Sequence, residues 1–189
     1  PAPWAGARTR GLMNAAASEV SVTPNEIEAR WLPAYIGVGS NLAEPALQVA
    51  RALDALRGLP RSRLIVSSPL YRTQPLGEVV QPAFVNAVAG LLTQSTPEEL
   101  LAALRALERE LGRDPPRERW GPRLIDLDLL VVGCETRATE TLTLPHPGIA
   151  ARDFVLYPLA DIAPDLEVPG VGRVAALRDR VPNRGIGKL

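Results

Sequence analysis

Cysteine and histidine each occur once in the 189 residues, as Cys134 and His146. A single thiol closes no disulfide within the chain and leaves no Cys-based zinc cage. A single imidazole excludes a histidine-rich metal centre. The lone thiol fits a reducing compartment. No apolar run approaches the roughly 20 residues of a membrane span. Residues 1–30 lack the apolar stretch of a secretory signal, so the expected location is the cytoplasm. Basic and acidic residues both number 21, for a formal net charge of zero. That balance argues against a general nucleic-acid binder but leaves room for a local basic pocket. Aromatics are scarce, with two phenylalanines and three tryptophans, so each one is a candidate for a specific task.

What is present is patterned from residue 33 onward. Residues 1–32 are rich in Ala, Pro, Ser and charge without a clear period, and read as an extension. Residues 33–180 read as a single domain. Ala34 to Gly39 is a buried strand ending in a Gly-Ser-Asn turn. Pro45 opens a helix whose apolar stripe is Ala46, Val49, Ala50, Leu53 and Leu56. Leu64 to Thr73 is a second strand, and Phe84 to Thr93 a third. Thr96, Pro97 and Glu99 spell a capping box for a helix with Leu100, Leu104, Leu107 and Leu111 on its buried side. Gly112 ends it. Leu124 to Val132 is a fourth strand, Thr141 to Pro145 is extended, and Arg152 to Ile162 is a short helix. The order β-α-β-β-α-β predicts an α+β, ferredoxin-like fold. It should hold a four-stranded antiparallel sheet with two helices on one face. The other face is left for a site or for C-terminal additions.

The sharpest chemical signal is Asp126-Leu127-Asp128 within an apolar strand. Alternation puts both carboxylates on one face, with Leu127 and Leu129 on the other. Two adjacent carboxylates repel unless a cation lies between them. Magnesium suits such a pair, because it takes one or two carboxylates along with water and phosphate oxygens. The alternative is two acidic residues on a solvated strand face. The preceding loop carries Arg113, Arg117, Arg119 and Arg123, suited either to phosphate contacts or to a solvated loop. Arginines around a metal-bound polyphosphate are the usual parts of phosphoryl transfer. Trp120 sits mid-loop, where an indole has little to bury against unless the loop closes over something. Phe84 and Phe154 are either core or a flat slot for an aromatic ring. Asn86 shares a strand face with Phe84 and offers a donor and an acceptor to the edge of a heterocycle. His146, between two prolines, is either structural or functional. Gly37-Val38-Gly39-Ser40 matches neither a Walker loop nor a dinucleotide fingerprint and reads as a tight turn.

Taken together, these blocks resemble the 6-hydroxymethyl-7,8-dihydropterin pyrophosphokinase family of folate biosynthesis. The resemblance runs from Ala34 to about Glu167. It is carried by Tyr35 to Leu42, Tyr71-Arg72-Thr73 with Pro75-Leu76-Gly77, and Gln81-Pro82 with Phe84 and Asn86. It continues through Glu118 to Leu130 and through Leu144 to His146, followed by Arg152 and Phe154. It implies an ATP-dependent enzyme that transfers a diphosphate to the hydroxymethyl group of the pterin and releases AMP. It also implies two Mg2+ ions on Asp126 and Asp128, and a pterin between Phe84 and Phe154. Asn86, Thr73, Leu76 and Trp120 would complete the pterin site. Arg113 and Arg123 would act on the phosphates. Glu108, Trp120, His146 and Arg152 would join those two arginines around ATP. No nucleic-acid, membrane or protein partner is implied, and a monomer is expected. The chain departs from the family pattern at Gln74, Arg105, Pro115 and Pro147.

Overall fold

The computed structural model describes residues 30–75, 80–113 and 121–189. Of the expected extension only residues 30–32 are described, and Leu76, Arg117, Arg119 and Trp120 lie outside the described residues. The centre of the molecule is a six-stranded antiparallel sheet. β1 (Leu32–Ser40) runs between β4 (Phe84–Thr93) and β5 (Asp126–Val132). The far edge of β4 takes both β2 (Ser62–Ser67) and β3 (Tyr71–Thr73). A last strand, β10 (Gly187–Lys188), pairs with β3.

Leu64 to Thr73 is therefore two strands rather than one. Pro69 has no N–H to give to a ladder. Ser68 bridges the break: its amide donates to the Val88 carbonyl at 2.9 Å, and its hydroxyl accepts from the Val88 amide at 3.0 Å. The sheet thus bends away at Ser68 without orphaning the Val88 backbone groups.

Helices α1 (Pro45–Ala55) and α2 (Pro97–Glu110) cover one face of the sheet. The capping box at Thr96 forms in full: the Glu99 amide donates to the Thr96 hydroxyl, and the Thr96 amide to the Glu99 carboxylate. Gly112 follows the helix at φ 87, a conformation that favours glycine. Leu100, Leu104 and Leu107 are buried as the spacing predicts. In α1 the buried residues are Val49 and Ala52, continued by Leu56, while Ala46 and Ala50 face solvent. Alanines lie all round this helix, and only docking onto β1 and β4 selects which of them is covered.

The opposite face is covered by α3 (Asp153–Ile162), with α4 (Val174–Arg180) packed on α3. Hairpins β6–β7 (Arg137–Ala138, Thr143–Leu144) and β8–β9 (Glu167–Val168, Gly172–Arg173) complete the chain. The sheet separates two cores. Ile36, Val38, Leu127 and Leu129 face α1 and α2, whereas Val88, Leu156 and Leu159 lie on the α3 side. A register slip between Tyr35 and Ile36 leaves Leu130 without an opposite residue. This bulge puts both Leu130 and Val131 in the α3 core. Among the described residues, no helix is long and apolar enough to cross a membrane.

Candidate active site

Residues of equal parity along four neighbouring strands share one face of the sheet. Asp126 of β5, Gly39 of β1, Asn86 of β4 and Tyr71 of β3 form one transverse row. Asp128 and Gly37 are paired in the next row. Two glycines thus separate the carboxylates from the amide, and the missing side chains leave a trough in the floor. At Gly39 the clearance is tight: an added Cβ would lie 2.7 Å from Asn86 Oδ1. The glycines therefore belong to the cavity floor, on the strand itself, and not to a turn. The signal in the sequence was their spacing of two between buried Ile36 and Val38.

Above this floor is a cavity of about 250 Å³. Phe84, Asn86 and Thr73 line one end, and Asp126, Asp128, Arg113 and Arg123 the other. Phe154, Arg152 and His146 come from the α3 side. Ten of the candidate residues named from the sequence therefore meet around one space. Leu76 and Trp120 fall outside the described residues. Glu108 lines an adjoining cavity of about 640 Å³, which shares Arg113, Asp126, Asp128 and His146 with the first.

At the apolar end, Asn86 donates its amide to the Thr73 hydroxyl at 2.7 Å, so its carbonyl oxygen is aimed by a bond between strands. The Arg152 guanidinium lies 5.6 Å from the centre of the Phe154 ring and 3.5 Å from Asp128. Gly148 makes room for it, since a Cβ there would lie 2.5 Å from Arg152 Nε.

At the charged end, Asp126 pairs with Arg123 through one oxygen and with Arg113 through the other, the latter at 2.7 Å. Arg113 also pairs with Glu108. Glu108 in turn accepts the Leu127 amide at 2.7 Å, which ties α2 to the strand that carries both aspartates. Burial raises the Glu108 carboxyl above its ordinary value, against the pull of the Leu127 amide and Arg113. Burial opposes the Arg113 charge, but Asp126 and Glu108 outweigh it and raise that group. Asp128 is pushed up to about 6, first by desolvation and then by the Asp126 charge, against Arg152 and Arg123. His146 is pushed down to about 4 by burial and by Arg152. Its Nδ1 accepts the Gly148 amide at 3.0 Å, so the neutral ring carries its proton on Nε2.

A further contributor is Asn41, to which the sequence reading assigns no role in the site. Asn41 is buried at 2 % exposure. Its amide nitrogen donates to Gln81 Oε1 at 3.0 Å and to the Pro82 carbonyl at 3.2 Å, and its oxygen accepts the Arg123 amide at 2.8 Å. It therefore ties the segment before Phe84 to the one that delivers Arg123. Nothing local in Gly-Ser-Asn announces this, because Gln81, Pro82 and Arg123 are all distant in sequence.

Among the described residues, no three His, Cys, Asp or Glu side chains gather into a metal cage. Two hard carboxylates beside arginines suit a hard cation that draws its remaining ligands from water and from a phosphorylated substrate. The site as a whole joins an end lined by Phe84, Phe154 and Asn86 to one lined by two carboxylates and three arginines.

Residues 35–164 match a family model described as 7,8-dihydro-6-hydroxymethylpterin-pyrophosphokinase. Over 155 residues the chain is 49% identical to the 2-amino-4-hydroxy-6-hydroxymethyldihydropteridine pyrophosphokinase of Pseudomonas aeruginosa, covering 82% of this chain and 95% of that one. The Haemophilus influenzae protein of the same name is 44% identical over 138 residues, covering 73% and 86%. Among solved structures, the wild-type HPPK-DHPS of Plasmodium falciparum aligns with a TM-score of 0.61 at 14% identity. That alignment covers 80% of this chain and 45% of the other. At that identity the likeness is one of fold, and the chain spans less than half of that protein.

Proposed function

The chain belongs to the 7,8-dihydro-6-hydroxymethylpterin-pyrophosphokinase family, and from that membership we propose how its cavity moves diphosphate from ATP to hydroxymethyldihydropterin in folate biosynthesis. The pterin lies between Phe84 and Phe154, with its polar edge on Asn86 and Thr73, and Leu76 and Trp120 complete that site. ATP extends across the charged end into the adjoining cavity, past Glu108, His146 and Arg152. The pterin hydroxyl attacks the β-phosphorus and gives up its proton to solvent, the bond from that phosphorus to the α-phosphate oxygen breaks, and AMP leaves. The β- and γ-phosphates travel as one unit.

The observation that carries this reading is the row Asp126–Gly39–Asn86. It sets the Asp126 carboxylate and the Asn86 amide on one open floor with only glycine between them, which supports a cation at one and a ring edge at the other. Asp126 and Asp128 are the residues that would hold magnesium, in our reading two ions, whose charge would offset that of the phosphates. Arg113 and Arg123 turn from Asp126 to the phosphate oxygens, where their charge opposes the negative charge of the moving group. Glu108 keeps Arg113 aimed. Neutral His146 can donate from Nε2 without adding charge. Arg152 steadies Asp128 or a phosphate from the α3 side.

We read β5-β1-β4-β2 with α1 and α2 as a ferredoxin-like unit. We read the single catalytic domain expected at residues 33–180 as continuing through β10, which joins its sheet, and as acting as a monomer in the cytoplasm.

The test is to supply ATP, magnesium and 6-hydroxymethyl-7,8-dihydropterin and to identify the nucleotide product. AMP formed only with pterin present supports diphosphate transfer, whereas ADP would point to single phosphoryl transfer. Asp126→Ala should lower turnover by about a thousandfold or more while the fold survives. Retained activity would sink the metal assignment.

A further inference from the structure

Residues 181–189 lie beyond the stretch matched by the family model, yet they are tied into the protein at three places. Val181 is buried in the core beneath α3. The Arg184 amide donates to Asp153 Oδ2 at 3.0 Å, and buried Asp153 also accepts the amide of Phe154 at 2.9 Å. β10 then pairs with β3, Gly187 opposite Arg72 and Lys188 opposite Tyr71, and the Leu189 amide reaches the Leu70 carbonyl at 2.9 Å. Lys188, the only lysine in the chain, donates to Asp161 Oδ1 at 3.1 Å. The other oxygen of Asp161 accepts the Tyr71 hydroxyl at 2.5 Å.

The segment thus runs from the residue next to Phe154 to the strand that carries Thr73. Those are opposite walls of the slot. Without β10, β3 would be a three-residue edge strand with a backbone ladder to β4 alone, which is marginal pairing. A loosened β3 releases Thr73, and with it the bond that aims Asn86. None of residues 181–189 lines either cavity. We infer that residues 181–189 are a positioning strap for the pterin slot, fixing α3 against β3 and setting pterin affinity without touching the ligand. The inference rests on the pterin reading above. The nucleotide end is held separately, through Glu108, Leu127 and Arg113.

Gly187 allows a controlled test. Leu189 and Leu70 form a bonded pair, so in an antiparallel ladder Gly187 and Arg72 form the next one. Proline at 187 removes that donor. Alanine keeps it, and an added Cβ meets nothing within 4 Å. In the full chain, Gly187→Pro should raise the KM for pterin about tenfold and leave the KM for ATP within about twofold. It should also speed amide exchange at Tyr71, Arg72 and Thr73. Gly187→Ala should match the parent. Lys188→Met should raise the pterin KM about threefold, and it decides the matter if the proline variant does not fold. An unchanged pterin KM, or equal changes in both KM values, overturns the strap. If the parent makes no AMP, the functional reading falls, and amide exchange in Gly187→Pro still decides whether β10 pins β3.

Discussion

Asp128 is a group the fold holds at a cost. Its carboxyl binds a proton more tightly in the folded chain, with a pKa of about 6, than in the unfolded one. The associated stability is therefore full below about pH 4 and is lost as pH rises through 6. The shift would suggest a few kcal/mol, but the side chain is 36% exposed and faces Arg152, so screening leaves about 1 kcal/mol. Asp128→Asn should thus raise Tm at pH 7.5 without magnesium or ligands while abolishing turnover, and the gain should fade toward pH 4. A gain that is the same at both pH values would contradict this origin. His146 has the opposite sign. Its folded pKa is lowered to about 4, so its contribution is present above about pH 6.5 and lost as pH falls through 4. Because it is the only histidine, its ring protons can be followed directly by NMR. They should titrate near pH 4 with no inflection near 6.5.

At the scale of elements, β1 is a strand that functions through side chains it lacks. Gly39→Ala would put a Cβ 2.7 Å from Asn86 Oδ1. Asn86 cannot swing aside without breaking its bond to Thr73. The variant should raise the KM for pterin about tenfold and leave that for ATP unchanged, as measured by varying each substrate in turn. The elements most legible in the sequence are those written in local chemistry. The capping box of α2 needs only Thr96, Pro97 and Glu99, and the alternation through Asp126 and Asp128 needs only the period of a strand. Leu64 to Thr73 reads as one strand because Pro69 alone is also compatible with an edge strand, and the break is set by Ser68 pairing with Val88, twenty residues away. The covered face of α1 is ambiguous for a related reason: alanine on both sides offers no preference until the sheet is there.

At the scale of the molecule, the sheet is a wall between two cores, and α3 closes one core while placing Arg152 and Phe154 on the site. Leu156 is fully buried within α3. Leu156→Ala should cost about 2–5 kcal/mol and shift one cooperative denaturation curve, seen alike by fluorescence and circular dichroism. Two separate transitions would show that the α3 layer folds independently of the sheet. The sequence by itself determined β1, β4 and β5 with the two long helices between them, the shared face of the two aspartates and of Phe84 with Asn86, and the family, because these rest on short-range periods and on contiguous motifs. Tertiary structure alone decided that β1 glycines would floor the cavity, that Asn41 would join two distant segments, and that β10 would return to β3. Each of those depends on which strand lies next to which, and strand neighbours are chosen by burial on two faces at once rather than by any residue's local preference.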